Sequence, residues 1–217
     1  MFKIVNYLKY RLLARHRKGF GVHSPFVFDL LNAVFFEENP FYSFEKTEKI
    51  LKKQFSKTFF SKNIKYYRLI FRLANYFYAK KILILGKNPF VEQYFLSVSK
   101  TNRAVSICGL ENLLKENLPQ ILEQNFKKLT NNKKNEPFDI IFFLTHNIIY
   151  YDYVITSPLF AENTILIFEG IYENPQSKAA WEHIKADEKT KICIDIYKYG
   201  IVFLKKDILK QSYLVKF

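Results

Sequence analysis

The stretch Lys81-Ile82-Leu83-Ile84-Leu85-Gly86-Lys87-Asn88-Pro89-Phe90 decides the fold. Ile82 to Leu85 are aliphatic without polar alternation, so both faces of this strand are covered, and Gly86 and Pro89 then stop the run. Four more short apolar runs follow: AVSIC at 104–108, FDIIFFL at 138–144, NTILIF at 163–168 and KICIDIY at 191–197. Helical patterns separate them, which is the signature of a doubly wound α/β domain with a mostly parallel sheet. After Tyr199-Gly200 the run IVFLKK returns too soon for a helical crossover, so the last two main strands are expected to form an antiparallel hairpin. SYLVKF at 212–217 reads as a terminal edge strand.

Upstream, the period is helical. Residues 2–17 carry Ile4, Val5, Leu8 and Leu12 at helical spacing among Lys and Arg, which predicts an amphipathic helix docking on the domain through that stripe. The same helix is compatible with a membrane surface. Gly19 and Gly21 make a hinge, and Ser24-Pro25 is an N-cap and first-turn pair for a second helix. Asn39 and Pro40 close it, and further helices are expected over 45–58 and 63–78. The chain thus divides into a helical extension, 1–78, and a Rossmann-like domain, 79–217; 217 residues hold one such domain and not two.

The composition includes 23 Phe and 15 Tyr but only 6 Gly, which excludes a glycine-rich phosphate-binding loop as a dominant feature. A net charge of +14 is compatible with nucleic acid or an anionic membrane surface. AT-rich codon usage, which favours Lys, Asn, Ile, Phe and Tyr, explains the same charge without a polyanionic partner, and is preferred. Cys108 and Cys193 sit inside apolar runs, as buried thiols of a reducing compartment would; neither a disulfide framework nor a metal site follows. No stretch reaches the roughly 18 apolar residues of a spanning helix, and the N-terminus lacks the core of a signal peptide, so a cytoplasmic location is expected.

In open α/β sheets, ligands lie beyond the carboxyl ends of the strands. The first strand ends at Gly86-Lys87, the second at Cys108-Gly109, the third at Leu144-Thr145-His146, and the fourth at Glu169-Gly170-Ile171-Tyr172. His146 is either a general base or a surface or capping histidine. Glu169 is either its acid-base partner, if their strands are adjacent, or a cap for the helix that follows. His23 in the glycine hinge and Tyr172 beyond Glu169 are candidate substrate contacts.

Two segments carry a resemblance: Gly21-Val22-His23-Ser24-Pro25-Phe26-Val27-Phe28-Asp29-Leu30, and the stretch from ILIFEGIYENP to DIYKYGIVFLKK. They resemble a group of class I methyltransferase-like proteins common in Bacteroidetes, in which an HGVHSPFVF-type segment precedes a Rossmann-like domain. The resemblance implies an S-adenosylmethionine fold, with Gly86, Lys87, Cys108 and Gly109 lining the cofactor. It also exposes departures. Ile84 stands in place of a Glu, Lys87 to Phe90 in place of a glycine-rich segment, Cys108 in place of the ribose-binding acid, and Leu144 in place of an Asp. Glu169-Gly170 replaces a metal-binding pair of acids. The segment between Cys108 and Phe138 also looks too short for the strand those relatives fit there.

Three readings follow. The first is a methyltransferase of this family acting on a small-molecule or unknown acceptor near His146 or Glu169, which either still binds S-adenosylmethionine by unusual contacts to backbone groups around Gly86 and Gly109 or has cofactor binding lost or much weakened. The second is a non-catalytic pseudoenzyme scaffold, in which Phe90 or Tyr94 would fill the cofactor cleft. The third is a basic adaptor for nucleic acid or a membrane surface.

Overall fold

The computed structural model describes residues 1–39, 41–54, 57–86, 90–97, 103–108, 136–144, 148–205 and 208–217. Seven strands form one sheet: β1 (Lys81–Gly86), β2 (Ala104–Cys108), β3 (Ile140–Leu144), β4 (Ile165–Glu169), β5 (Ile192–Asp195), β6 (Tyr199–Phe203) and β7 (Gln211–Leu214). Their order is β2-β1-β3-β4-β6-β5-β7. The first four pair in parallel, β6 runs antiparallel to both β4 and β5, and β7 adds a parallel edge to β5. The parallel sheet, the hairpin and the terminal edge strand are as the sequence predicts.

Seven helices accompany the sheet among the described residues: α1 (Phe2–Leu13), α2 (Pro25–Leu30), α3 (Tyr42–Gln54), α4 (Lys57–Tyr76), α5 (Phe90–Ser97), α6 (Ile148–Val154) and α7 (Pro175–Ala186). The Ser24 hydroxyl accepts from the Val27 amide at 3.4 Å, so the predicted cap starts α2, which runs on through a π-turn at Leu31–Phe35. Gly19 and Gly21 both have positive φ, and a Cβ on Gly19 would lie 2.6 Å from the Phe28 ring.

Alternate residues of each strand face opposite layers. Ile82, Ile84, Ile140, Phe142, Ile165 and Ile167 join Leu30, Leu31, Val34, Leu51, Ile70 and Leu73 in one core. Leu83, Leu85, Ile141, Phe143 and Leu166 join Tyr151, Val154, Trp181 and Ile184 in the other. Helices α2 to α5 therefore supply a layer over one face of the sheet. Arg103, buried at the entry to β2, binds that layer to the sheet by donating to the carbonyls of Ala74, Ala79 and Leu96 at 2.8–3.1 Å.

Two expectations need correction. The hairpin turn falls at Ile196-Tyr197-Lys198, with Tyr197 at φ 69°, and not at Tyr199-Gly200. Gly200 lies within β6 because the Trp181 ring covers it, and a Cβ there would sit 2.5 Å from Cζ3. Helix α1 docks through the opposite face to the one predicted. Asn6 and Tyr10 are its buried residues, while Ile4, Val5, Leu8 and Leu12 are exposed. Hydrogen bonds decide this orientation: Tyr10 donates to the Val215 carbonyl at 2.7 Å and accepts from the Phe217 amide at 2.9 Å, and Asn6 accepts from Lys178 at 3.2 Å.

Candidate functional site

The carboxyl ends of β3 and β4 and the β5–β6 turn open into a cavity of 690 Å³. Its lining includes Leu144, Glu169, Gly170, Tyr172, Tyr197 and Lys198 from the sheet side, Asn63 and Tyr66 from α4, and Lys3 and Tyr7 from α1. Its polar centre is Lys198, whose ammonium lies 3.1 Å from Glu169 Oε1 and 2.8 Å from Asn63 Oδ1. That ammonium also sits 5.4 Å from the ring centres of Tyr66, Tyr67 and Tyr199.

Sheet register creates this pair. Glu169 of β4 stands opposite Tyr199 of antiparallel β6, and the Gly170 amide donates to the Lys198 carbonyl at 2.7 Å, so the last turn residue lands beside the end of β4. The wall beside it is held by Asp195, a buried carboxylate. It accepts from Tyr172 Oη at 2.5 Å, Trp181 Nε1 at 3.2 Å and the Tyr197 amide at 2.8 Å. Burial nevertheless pushes its pKa up, against these hydrogen bonds. Tyr172 and Tyr197 stack at 18°, and Tyr7 meets Tyr197 edge-on.

Behind the cavity lies Glu92 in the first turn of α5. Burial, reinforced by the charge of Glu169, pushes its pKa up to about 7, with Lys198 pulling the other way. Tyr199 is wholly buried, and its hydroxyl has no hydrogen-bond partner among the described residues. Burial drives that phenol well above its ordinary pKa. The cavity thus combines two ion pairs, stackable rings and a carboxyl behind it that titrates near neutrality.

The structure treats the predicted site residues unequally. Glu169 and Tyr172 line the cavity together. Glu169 does not cap α7; Asn174 does, accepting from the Ser177 amide at 2.8 Å. Strands β3 and β4 are neighbours, the condition for an acid-base pair of His146 with Glu169, but His146, Lys87 and Gly109 lie outside the described residues. The side chains of Phe90 and Tyr94 also fall outside them. His23 is exposed and is not among the cavity-lining residues. Gly86 has φ +140°, and a Cβ there would meet Leu144 Cβ at 2.6 Å and its carbonyl oxygen at 2.8 Å, so pairing of β1 with β3 accounts for this glycine. Cys108 is buried, with its thiol pKa raised by desolvation. Lys198, Asn63, Asp195 and Glu92 are absent from the sequence-based site. Only the hairpin offered a signal for Lys198, because a turn next to an antiparallel partner must lie near that partner's strand end.

No protein-family profile and no curated protein sequence matches the chain. Solved structures do. The SAH-bound methyltransferase PaMTH1 of Podospora anserina aligns over 79% of this chain and 91% of its own, at 12% identity and a TM-score of 0.53. The fold is the Rossmann-like methyltransferase fold. An O-methyltransferase from Klebsiella pneumoniae, described as putative, aligns over 77% of this chain and 92% of its own, at 11% identity and a TM-score of 0.49. For the SAH-bound O-methyltransferase of Bacillus cereus the values are 78%, 94%, 14% and 0.47. This methyltransferase-fold chain shares with them an architecture; its site must be argued from its own residues.

Proposed function

We propose that this protein is a methyltransferase-fold protein whose S-adenosylmethionine binding is lost or much weakened, and whose remaining ligand-binding capacity lies in the cavity beside Glu169 and Lys198. The observation that carries this reading is the contrast between strand ends. At the described ends of β1 and β2 stand Ile84, Gly86 and Cys108, all apolar or without a side chain, and Cys108 is a buried thiol held neutral. Such a thiol is a poor partner for two ribose hydroxyls, which a carboxylate would bind by charge-assisted hydrogen bonds.

The cavity, by contrast, is built to receive a small molecule. Its ion pairs, Glu169–Lys198 and Lys3–Glu173, neutralise themselves, so a strongly charged ligand gains little there. Four tyrosines favour a flat or aromatic ligand with a few polar groups. In the catalytic form of this reading that ligand is a methyl acceptor with Glu169 beside it, joined by His146; in the pseudoenzyme form it is the only ligand. Isothermal titration with S-adenosylmethionine and S-adenosylhomocysteine at millimolar ligand tests the central claim. Little or no heat is expected. Saturable binding in the micromolar range would overturn it.

A further inference from the structure

We propose that the exposed face of α1, together with the basic pocket at its edge, docks the protein peripherally on an anionic phospholipid surface. Helix α1 turns its hydrogen-bonding residues inward and leaves its apolar stripe to solvent: Ile4 is 65% exposed, Leu8 55% and Leu12 82%, with Val5 completing the stripe. Their spacing keeps them on one side of the helix, and Lys9 and Arg11 border that side along its two edges. An apolar strip flanked by cations is the arrangement by which a helix lies in the headgroup region, its apolar side chains in the acyl boundary and its cations among phosphates. Phe20, 86% exposed, follows Arg17 and Lys18 just beyond the helix.

Charge selects the occupant. Arg11 also lines a second pocket, of 540 Å³, with Arg17, Lys65, Arg68, Arg72 and Lys216, six cations against the two carboxylates of Glu37 and Glu38. Lys65 is engaged by the Phe217 main-chain oxygen, Arg68 by Glu48, and Arg72 by the carbonyls of Val34 and Phe35. The side chains of Arg11, Arg17 and Lys216 have no ion pair or hydrogen-bond partner among the described residues. Crowding shows in Lys65, whose pKa is lowered by burial and by the nearby Arg11 charge. A second copy of a chain carrying +14 would bring like charges together at the stripe, whereas an anionic bilayer offers apolar depth and phosphates at once. No described helix is long and apolar enough to cross a membrane, so the contact is peripheral.

Flotation of the full chain with vesicles of phosphatidylcholine alone, or mixed with phosphatidylglycerol, tests this. Binding is expected only to the mixed vesicles, falling as salt rises. The Leu8→Glu/Leu12→Glu double variant is expected to lose at least about tenfold in partitioning. Because both residues are exposed, its melting temperature should match the wild type. As a second readout, a Leu12→Trp variant should shift its emission to the blue on mixed vesicles, with buried Trp181 a constant background. Absence of wild-type binding at low salt overturns the proposal. So does equal binding by the double variant, which would mean charge adsorption without insertion. A wild-type dimer that the double variant dissociates also overturns it, since a second copy would then cover the stripe.

Discussion

The two halves of the sheet's carboxyl edge differ in how they end their strands. On one side, the described ends of β1 and β2 carry no charged side chain: Gly86 fits against Leu144, and Cys108 is a buried thiol. On the other, β4 and the β5–β6 turn end in polar groups that hold one another, through Glu169, Lys198 and Asn63 and through the three donors gathered on Asp195. A strand end whose polar groups hold one another can sustain a polar cavity without help. That difference, more than the shared fold, distinguishes the two halves of the edge.

Removing Asp195 should break the comparison most severely. Asp195→Ala leaves the Tyr172 hydroxyl, the Trp181 indole and the Tyr197 amide without their acceptor, a loss of about 3–4 kcal/mol readable by urea denaturation. An effect near zero would mean that the wall does not depend on it. The next effect, on the apolar side, is smaller. Gly86→Ala should cost about 2–3 kcal/mol, because the residue combines a positive φ with a 2.8 Å approach to the Leu144 carbonyl.

Glu92 links the two halves and sharpens the contrast through pH. Its folded pKa, raised to about 7 from 4.5, means that the folded chain holds a proton the unfolded chain has released between those values. Its contribution to stability is therefore greatest below pH 4.5 and falls as pH rises to about 7, by roughly 3 kcal/mol. Glu92→Gln should flatten that slope and stabilise the protein at pH 8, as melting curves across the range would reveal. Glu169→Gln, by removing a like charge, should move the slope to lower pH. The smallest effect is expected of Tyr199→Phe. Deleting a buried hydroxyl without a partner among the described residues should be neutral or add about 1 kcal/mol, and a clear loss in chemical denaturation would show that the hydroxyl is engaged.

The sequence by itself determined the parallel sheet, its hairpin and its terminal strand, because apolar runs without alternation demand cover on both faces and a short return forbids a crossover. It also determined the Ser24 cap, which is local chemistry. It marked Glu169 and Tyr172 at a strand end and the apolar stripe of α1. The tertiary structure alone decided what those features face. Lys198 reaches Glu169 through antiparallel register across the sheet, and Asn63 arrives from a helix 135 residues away in the chain. Helix α1 turned its stripe outward because Tyr10 found the Val215 carbonyl and Asn6 found Lys178, partners 205 and 172 residues distant. Periodicity defines the two faces of a helix; which of them is buried depends on long-range hydrogen bonds that no local pattern encodes.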